Sequence, residues 1–305
     1  MAEKEAQRAS TEVNSKPRFE LPTRVYKGIM MMVNEVEQIE MMDTRPDDIW
    51  VCTHPRSGTT LTQEMSYLIE TLDFETANNV YLDDRFPMID ILDDRLPFYR
   101  SVKHAEQMSS PRFIKCHLPY FLLPEQLRQG KGRIIYIARN PKDVVASYYR
   151  LQKWTDIEAE QDSSWDKFID LFVQGKSLYG PWTKHVLGYW ENRTKDNMLY
   201  LKYEDLVQDL PGHVRTIAAF LNKELSENDI DRICKHCHVE SMRSNEKVNL
   251  SYYRDYKWVN DNAYGGFINK GKAGVWKDLL TPDAVKKIDL MVQELEGTGL
   301  VLRDN

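Results

Sequence analysis

Arg133-Ile134-Ile135-Tyr136-Ile137-Ala138 is the segment that most restricts how this chain can fold. A near-continuous β-branched run without polar relief suits a strand buried on both faces. It halts at Arg139-Asn140-Pro141, and Lys142-Asp143-Val144-Val145-Ala146-Ser147 then opens a helix with proline near its first turn. The same order recurs upstream. Ile49-Trp50-Val51-Cys52 runs into His54-Pro55-Arg56-Ser57-Gly58-Thr59-Thr60, after which Leu61, Met65, Leu68, Ile69 and Leu72 keep helical spacing. Arg112 to His117 reads as a short strand ending at Pro119, and Met198 to Tyr203 as another, halted by Glu204-Asp205. Helical patterns follow at about 206–221, 227–236 and 282–296. Strands of this kind alternating with helices predict an α/β fold with a parallel sheet covered on both faces. In such folds ligands bind where strand ends meet helix starts.

From about Phe19 onward no linker, charge block, repeat or low-complexity tract divides the chain, so residues 18–305 are expected to form one domain behind a flexible polar tail, 1–17. With 305 residues, 42% of them hydrophobic, there is ample material for its core. Lys plus Arg number 41 against 47 Asp plus Glu, a net charge of −6, which argues against a general nucleic-acid binder. A small anion held by a few local cations stays open. No run approaches the roughly 20 apolar residues that cross a bilayer, and the amino-terminal segment lacks the apolar centre of a signal peptide. Four cysteines are too few for a disulfide scaffold, so a reduced, cytoplasmic protein without a membrane partner is expected.

Chemistry concentrates at a few strand ends. In Arg56-Ser57-Gly58-Thr59-Thr60, glycine lets the backbone approach a ligand, the helix N-terminus offers free N–H groups, and Arg56 adds a positive fork. The loop is equally readable as a capped helix start. It is not the nucleoside-triphosphate loop GxxxxGK[ST], so ATP with magnesium is not the expected donor. Lys115 and His117, two apart on a strand, emerge on one face: a neutral imidazole can take a hydroxyl proton while an ammonium stabilises developing negative charge. The bland alternative is an exposed strand end. Arg139 with Ser147 makes a second phosphate candidate across a strand-to-helix turn, and Gly265 to Gly274 a basic, glycine-rich loop suited to closing over an anion. Cys234-Lys235-His236-Cys237-His238 matches a haem-attachment pattern, but no second cysteine pair follows and the segment continues an amphipathic helix, so no metal is expected.

Taken in order, these pieces resemble the cytosolic sulfotransferase family. Its YPKSGTTW signature is met as His54-Pro55-Arg56-Ser57-Gly58-Thr59-Thr60-Leu61, its KxHLP element as Lys115-Cys116-His117-Leu118-Pro119, and its RNPKDxxxSYY element as Arg139 through Tyr149. Its LYLxYED strand is similar to Leu199 through Asp205, and its closing RKGxxGxW loop to Asn269 through Trp276. The resemblance covers roughly residues 20–300 and implies a parallel five-stranded sheet flanked by helices, related to nucleotide kinases. It implies 3′-phosphoadenosine 5′-phosphosulfate (PAPS) as donor, 3′,5′-ADP (PAP) as product, and no metal. Arg56, Ser57, Gly58, Thr59 and Thr60 would hold the 5′-phosphosulfate, Arg139 and Ser147 the 3′-phosphate, with Lys270 and Gly271 covering it. Leu61, Tyr203, Cys237, Met242, Phe267 and Asn269 complete the implied nucleotide site. His117 would be the general base, with Lys115 and Arg56 stabilising charge on the transferring group.

Several positions depart from the family pattern. Arg56 stands for a lysine, Leu61 for a tryptophan that stacks on adenine, and Asn269 for an arginine that pairs with the 3′-phosphate. The dimer motif KxxxTVxxxE is degraded to Lys277, Thr281, Pro282 and Lys286, which weakens the expectation of a homodimer. The expected partner is a small, mostly apolar acceptor such as a phenol, steroid or retinoid, gripped by residues 82–99, the Tyr149-Leu151-Trp154 stretch, and 243–263 with Tyr252, Tyr253, Tyr256 and Trp258. Two alternatives stay open: a dehydratase acting through a transient sulfate ester, and a nucleotide-binding protein with weak or no catalysis.

Overall fold

The computed structural model describes residues 19–20, 22–92, 99–155, 157–158, 164–256, 259 and 266–303. The expected tail, 1–17, and Trp258 lie outside the described residues. Numbered along the chain, β1 (Phe19–Glu20) pairs in parallel with β7 (Ile157–Glu158), and β2 (Thr23–Tyr26) forms an antiparallel hairpin with β3 (Ile29–Met32). The central sheet is wholly parallel, in the order β5 (Phe113–Cys116), β4 (Ile49–Thr53), β6 (Arg133–Ala138), β8 (Met198–Lys202). Ile49 pairs with both Phe113 and Arg133, and Ile134 with Met198.

Alternation along β4 and β6 divides the core into two layers, because successive side chains of a strand face opposite ways. Trp50, Cys52, Ile134, Tyr136 and Ala138 pack on one side with Tyr148, Phe172, Trp182 and Tyr189. Ile49, Val51, Ile135 and Ile137 pack on the other with Met65, Leu68, Val214 and Ile217. Both faces of the sheet are therefore covered, as the unrelieved isoleucine run predicts.

The sheet has four strands among the described residues, against the five that the family resemblance implies. Beyond β5 stand only single parallel bridges from Met88 to Lys115 and to Tyr99. Pro87 explains the short edge: its carbonyl accepts from Lys115 N at 2.9 Å, but proline has no N–H to return. The next amide, His117 N, is taken at 2.8 Å by the Asp90 carboxylate rather than by a strand carbonyl.

The helices follow the predicted spans with local breaks. The pattern over 206–221 divides into Tyr203–Gln208 and Leu210–Leu221 at Asp209, whose carboxylate caps the second helix by accepting from Gly212 N at 2.9 Å. Glu227–His236 opens with a capping box at Ser226 and Asp229. In the degraded dimer motif, Thr281 caps and Pro282 starts the helix Pro282–Val292.

The amino-terminal ends of β4 and β5 are locked by a buried pair. Arg112 donates to both oxygens of Asp48, at 2.7 and 2.5 Å, and also to the carbonyl of Asp43 at 2.9 Å. Both side chains are essentially inaccessible, so removing one partner leaves an uncompensated buried charge. Asp48→Ala should cost about 3–5 kcal/mol of folding stability in urea unfolding, and Asp48→Leu with Arg112→Met should cost less than either change alone. A loss below about 1 kcal/mol for Asp48→Ala would show that the pair does not hold these strands.

Candidate active site

Thr53, the last residue of β4, joins three pieces of the site. Its hydroxyl bonds the Thr59 hydroxyl at 2.7 Å, and its carbonyl accepts from His117 Nδ1 at 2.9 Å. The turn between Thr53 and the helix Thr59–Thr71 needs unusual backbone geometry. Gly58 has φ +107°, and a Cβ there would come within 2.6 Å of the Tyr203 ring, so only glycine fits. Arg56 also takes a left-handed conformation, φ +70°, which costs a non-glycine residue of order 1–3 kcal/mol and clusters at ligand sites.

That backbone sends the Arg56 guanidinium to the middle of the helix Pro141–Trp154, which follows β6, and to the loop at Phe267. Nε donates to Ser147 Oγ at 3.1 Å, Nη2 to the Phe267 carbonyl at 3.2 Å, and the group lies 4.6 Å from the Phe267 ring centre. Arg139 donates to the Arg56 carbonyl at 3.0 Å and lies 4.3 Å over the Tyr203 ring. Burial, then the like charges of Arg139 and Arg150, pull Arg56 down to about 10, so it stays protonated at neutral pH. Ser57 Oγ and Arg139 Nε are buried without a hydrogen-bond partner. Crowded guanidiniums, the unpartnered Arg139 Nε and a 13-residue helix aimed N-terminus first make a site that fits an anion.

His117 faces the same cavity. With Nδ1 committed to the Thr53 carbonyl, the proton sits on Nδ1 and the Nε2 lone pair is available as an acceptor. Burial first, then the Lys115 charge, hold the imidazole down to about 3, so it is neutral at physiological pH. This replaces the ordinary histidine value of about 6.5 that the sequence alone would supply. Behind it, His185 donates through Nε2 to the His117 carbonyl at 3.0 Å and accepts at Nδ1 from Tyr136 OH at 2.9 Å. His54 packs edge-on against His185, ring centres 5.4 Å apart.

These groups open into one cavity of ≈ 460 Å³, within the range of small-molecule sites. Arg56, Gly58, Thr59, Thr60, Leu61, Lys115, His117, Arg139, Ser147, Tyr203, Cys237, Met242, Phe267, Asn269, Lys270 and Gly271 all line it. Ser57 does not; it is buried behind the loop. The ammonium of Lys270 turns outward to Asp278 at 2.9 Å, which leaves Gly271 as the part of the loop pressed against Val239. Of the acceptor residues expected from sequence, Leu151 and Tyr253 line the cavity, and Trp154 and Tyr252 pack with them.

Sequence reasoning missed several contributors. Asp143 holds the closing loop to the helix Pro141–Trp154, accepting from Gly274 N at 2.8 Å and Trp276 N at 3.0 Å. Asp90 fixes the His117 backbone, and Arg150 adds charge beside Ser147. Asp143 stood inside a motif that hinted at it; Asp90 and Arg150 carried no local signal.

The Sulfotransferase domain family model matches residues 46–299. Luciferin sulfotransferase of Photinus pyralis is 37% identical over 291 residues, covering 87% of this chain and 76% of the relative. Cytosolic sulfotransferase 1 of Danio rerio is 34% identical over 283 residues, covering 88% and 90%. Among solved structures, retinol dehydratase in a complex with retinol and PAP superposes with a TM-score of 0.83 at 32% identity, covering 93% of each chain.

The buried histidines set a pH dependence. Burial holds His54 well below its ordinary value, His117 down to about 3 and His185 down to about 4, whereas unfolded imidazoles titrate near 6.5. Their contribution is present above about pH 6.5 and is lost as pH falls, because the unfolded chain takes up protons that the fold refuses. Asp90, raised by burial to about 6, acts oppositely by holding one proton in the fold. The net of about two protons should lower stability by on the order of 3 kcal/mol per pH unit between about pH 6 and 4. Urea unfolding at pH 7, 6 and 5 would show it; an unchanged stability would mean that these imidazoles are not buried and neutral.

Proposed function

The chain belongs to the sulfotransferase family, and from that premise we propose that it transfers a sulfuryl group from PAPS to a hydroxyl or amine of a small, mostly apolar acceptor. One observation carries the reading: His117 presents an unprotonated Nε2 to the cavity, its tautomer fixed by the Thr53 carbonyl, with Lys115 on the same wall. PAPS, when bound, supplies an activated sulfuryl group and leaves as 3′,5′-ADP. Support for this donor comes from the anion-fitting loop and from a neighbouring structure that holds PAP.

The protein's own groups divide the work. The amide groups at the start of the helix Thr59–Thr71, with the Thr59 and Thr60 hydroxyls, would hold the phosphosulfate end. Arg139, Ser147 and the backbone around Gly271 would hold the 3′-phosphate. Arg56, assigned from sequence to the transferring group, has its guanidinium on Ser147 and so meets the nucleotide from the phosphate side. Lys115 is then the cation beside the reacting centre. His117 Nε2 accepts the acceptor's proton, and its neutral state keeps that lone pair available across the physiological range. Buried walls from Tyr148, Tyr179 and Met88 keep water from competing with the acceptor. A cytoplasmic location is supported by the cytosolic relative; no helix among the described residues is long and apolar enough to cross a membrane.

The likeness to retinol dehydratase favours a second reading, in which an allylic acceptor loses its new sulfate ester by elimination. Product mass separates the two, since only simple transfer retains the sulfonate.

An acceptor screen with radiolabelled PAPS tests the function directly. On the best acceptor, His117→Ala should lose about 10²–10⁴-fold in turnover, while 3′,5′-ADP binds it as tightly as wild type. An alanine protein with near-full turnover would remove the histidine from the mechanism.

A further inference from the structure

Among the described residues, the cavity wall carries two carboxylates, Asp143 and Asp83, in very different surroundings. Asp143 is fully used: it accepts from two loop amides and lies 3.7 Å from the Arg139 guanidinium. Asp83 is 7% exposed and accepts one hydrogen bond, from the Tyr252 hydroxyl; among the described residues no cation pairs with it. Its neighbours in the turn are committed elsewhere, since Arg85 pairs with Glu64 and Arg100 with Asp84. Elsewhere on the wall Arg56 donates to Ser147, Arg139 donates to the Arg56 carbonyl, and Lys270 pairs with Asp278, while no ion pair joins Asp83 to the lining lysines Lys115 and Lys272. A buried carboxylate without a counter-charge is costly unless a ligand supplies one.

The surroundings of Asp83 suit a cation in a second way. Tyr252 packs 4.7 Å from Tyr81 and 5.0 Å from Tyr253, and Tyr253 stacks 6.1 Å from Trp154, ring centre to ring centre. Aromatic faces beside a carboxylate form the box that recognises ammonium groups. Burial and then Asp83 raise the phenols of Tyr252 and Tyr253, so both tyrosines remain neutral rings and hydrogen-bond donors. The position is held rigidly: Leu82 N donates to the Lys247 carbonyl at 2.8 Å, anchoring the turn that carries Asp83.

We infer that the acceptor is an amine-bearing phenol or alcohol, whose protonated amine sits on the Asp83 carboxylate beside Tyr253 while its hydroxyl faces His117. The inference rests on the sulfotransferase reading of the cavity. It makes Asp83 the residue that selects the substrate class, drawing a cation to its own aromatic stretch of the wall by the same field that disfavours acidic acceptors.

Tyramine and its neutral isostere 4-propylphenol test this by calorimetry, with and without saturating 3′,5′-ADP, at pH 7 where the amine is protonated. Wild-type protein should bind tyramine about tenfold or more tighter, as a charge-assisted hydrogen bond predicts. Asp83→Asn should abolish that lead, and Tyr252→Phe, which keeps the carboxylate, should preserve it. Wild-type protein that binds tyramine no better than 4-propylphenol overturns the proposal, as does an Asp83→Asn protein that keeps the preference. Failure of 3′,5′-ADP to bind would instead count against the underlying function, because the amine comparison can be read without it.

Discussion

Everything in the site hangs on the residue that ends β4. Thr53 gives its carbonyl to His117 and its hydroxyl to Thr59, so one residue ties the base, the anion loop and the central strand together. The first bond decides the histidine tautomer; the second sets the start of the helix whose N-terminus faces the cavity. Neither is adjustable, because Thr53 pairs with Ile137 of β6, directly after Cys52, where the pairing of β4 with β5 ends. A parallel sheet brings all its strand ends to one edge, and this chain places its chemistry along that edge.

Electrostatics then divide the cavity. At one end Arg56, Arg139 and Arg150 crowd so closely that burial and mutual repulsion lower Arg56, a strain that an anion would relieve. Elsewhere on the wall Asp83 accepts from the Tyr252 hydroxyl, and among the described residues no cation pairs with it. His117 and Lys115 complete the wall of the same cavity.

Much of this was legible in the sequence. The isoleucine run of β6 and the Asn140-Pro141 helix start were fixed by local rules, and the order of motifs placed Arg56, His117 and Arg139 at neighbouring strand ends. What local rules could not supply were interactions made by the fold: Asp90 reaching the His117 amide from the sheet edge, Asp143 holding a loop far along the chain, and Arg56 turning to Ser147. The His117 titration likewise depends on burial and on Lys115, not on its own side chain. The edge strand was shortened by Pro87 and Asp90, a competition between side chain and ladder that periodicity does not register.

The claim at the centre of this account is that the cavity is built for a nucleotide with a 3′-phosphate. Calorimetry of 3′,5′-ADP against 5′-AMP tests it most directly, since the two differ only in the group assigned to Arg139, Ser147 and the backbone around Gly271. Each charged hydrogen bond contributes on the order of 1.5–3 kcal/mol, so 3′,5′-ADP should bind about tenfold tighter or more. Equal affinities for the two nucleotides would contradict it.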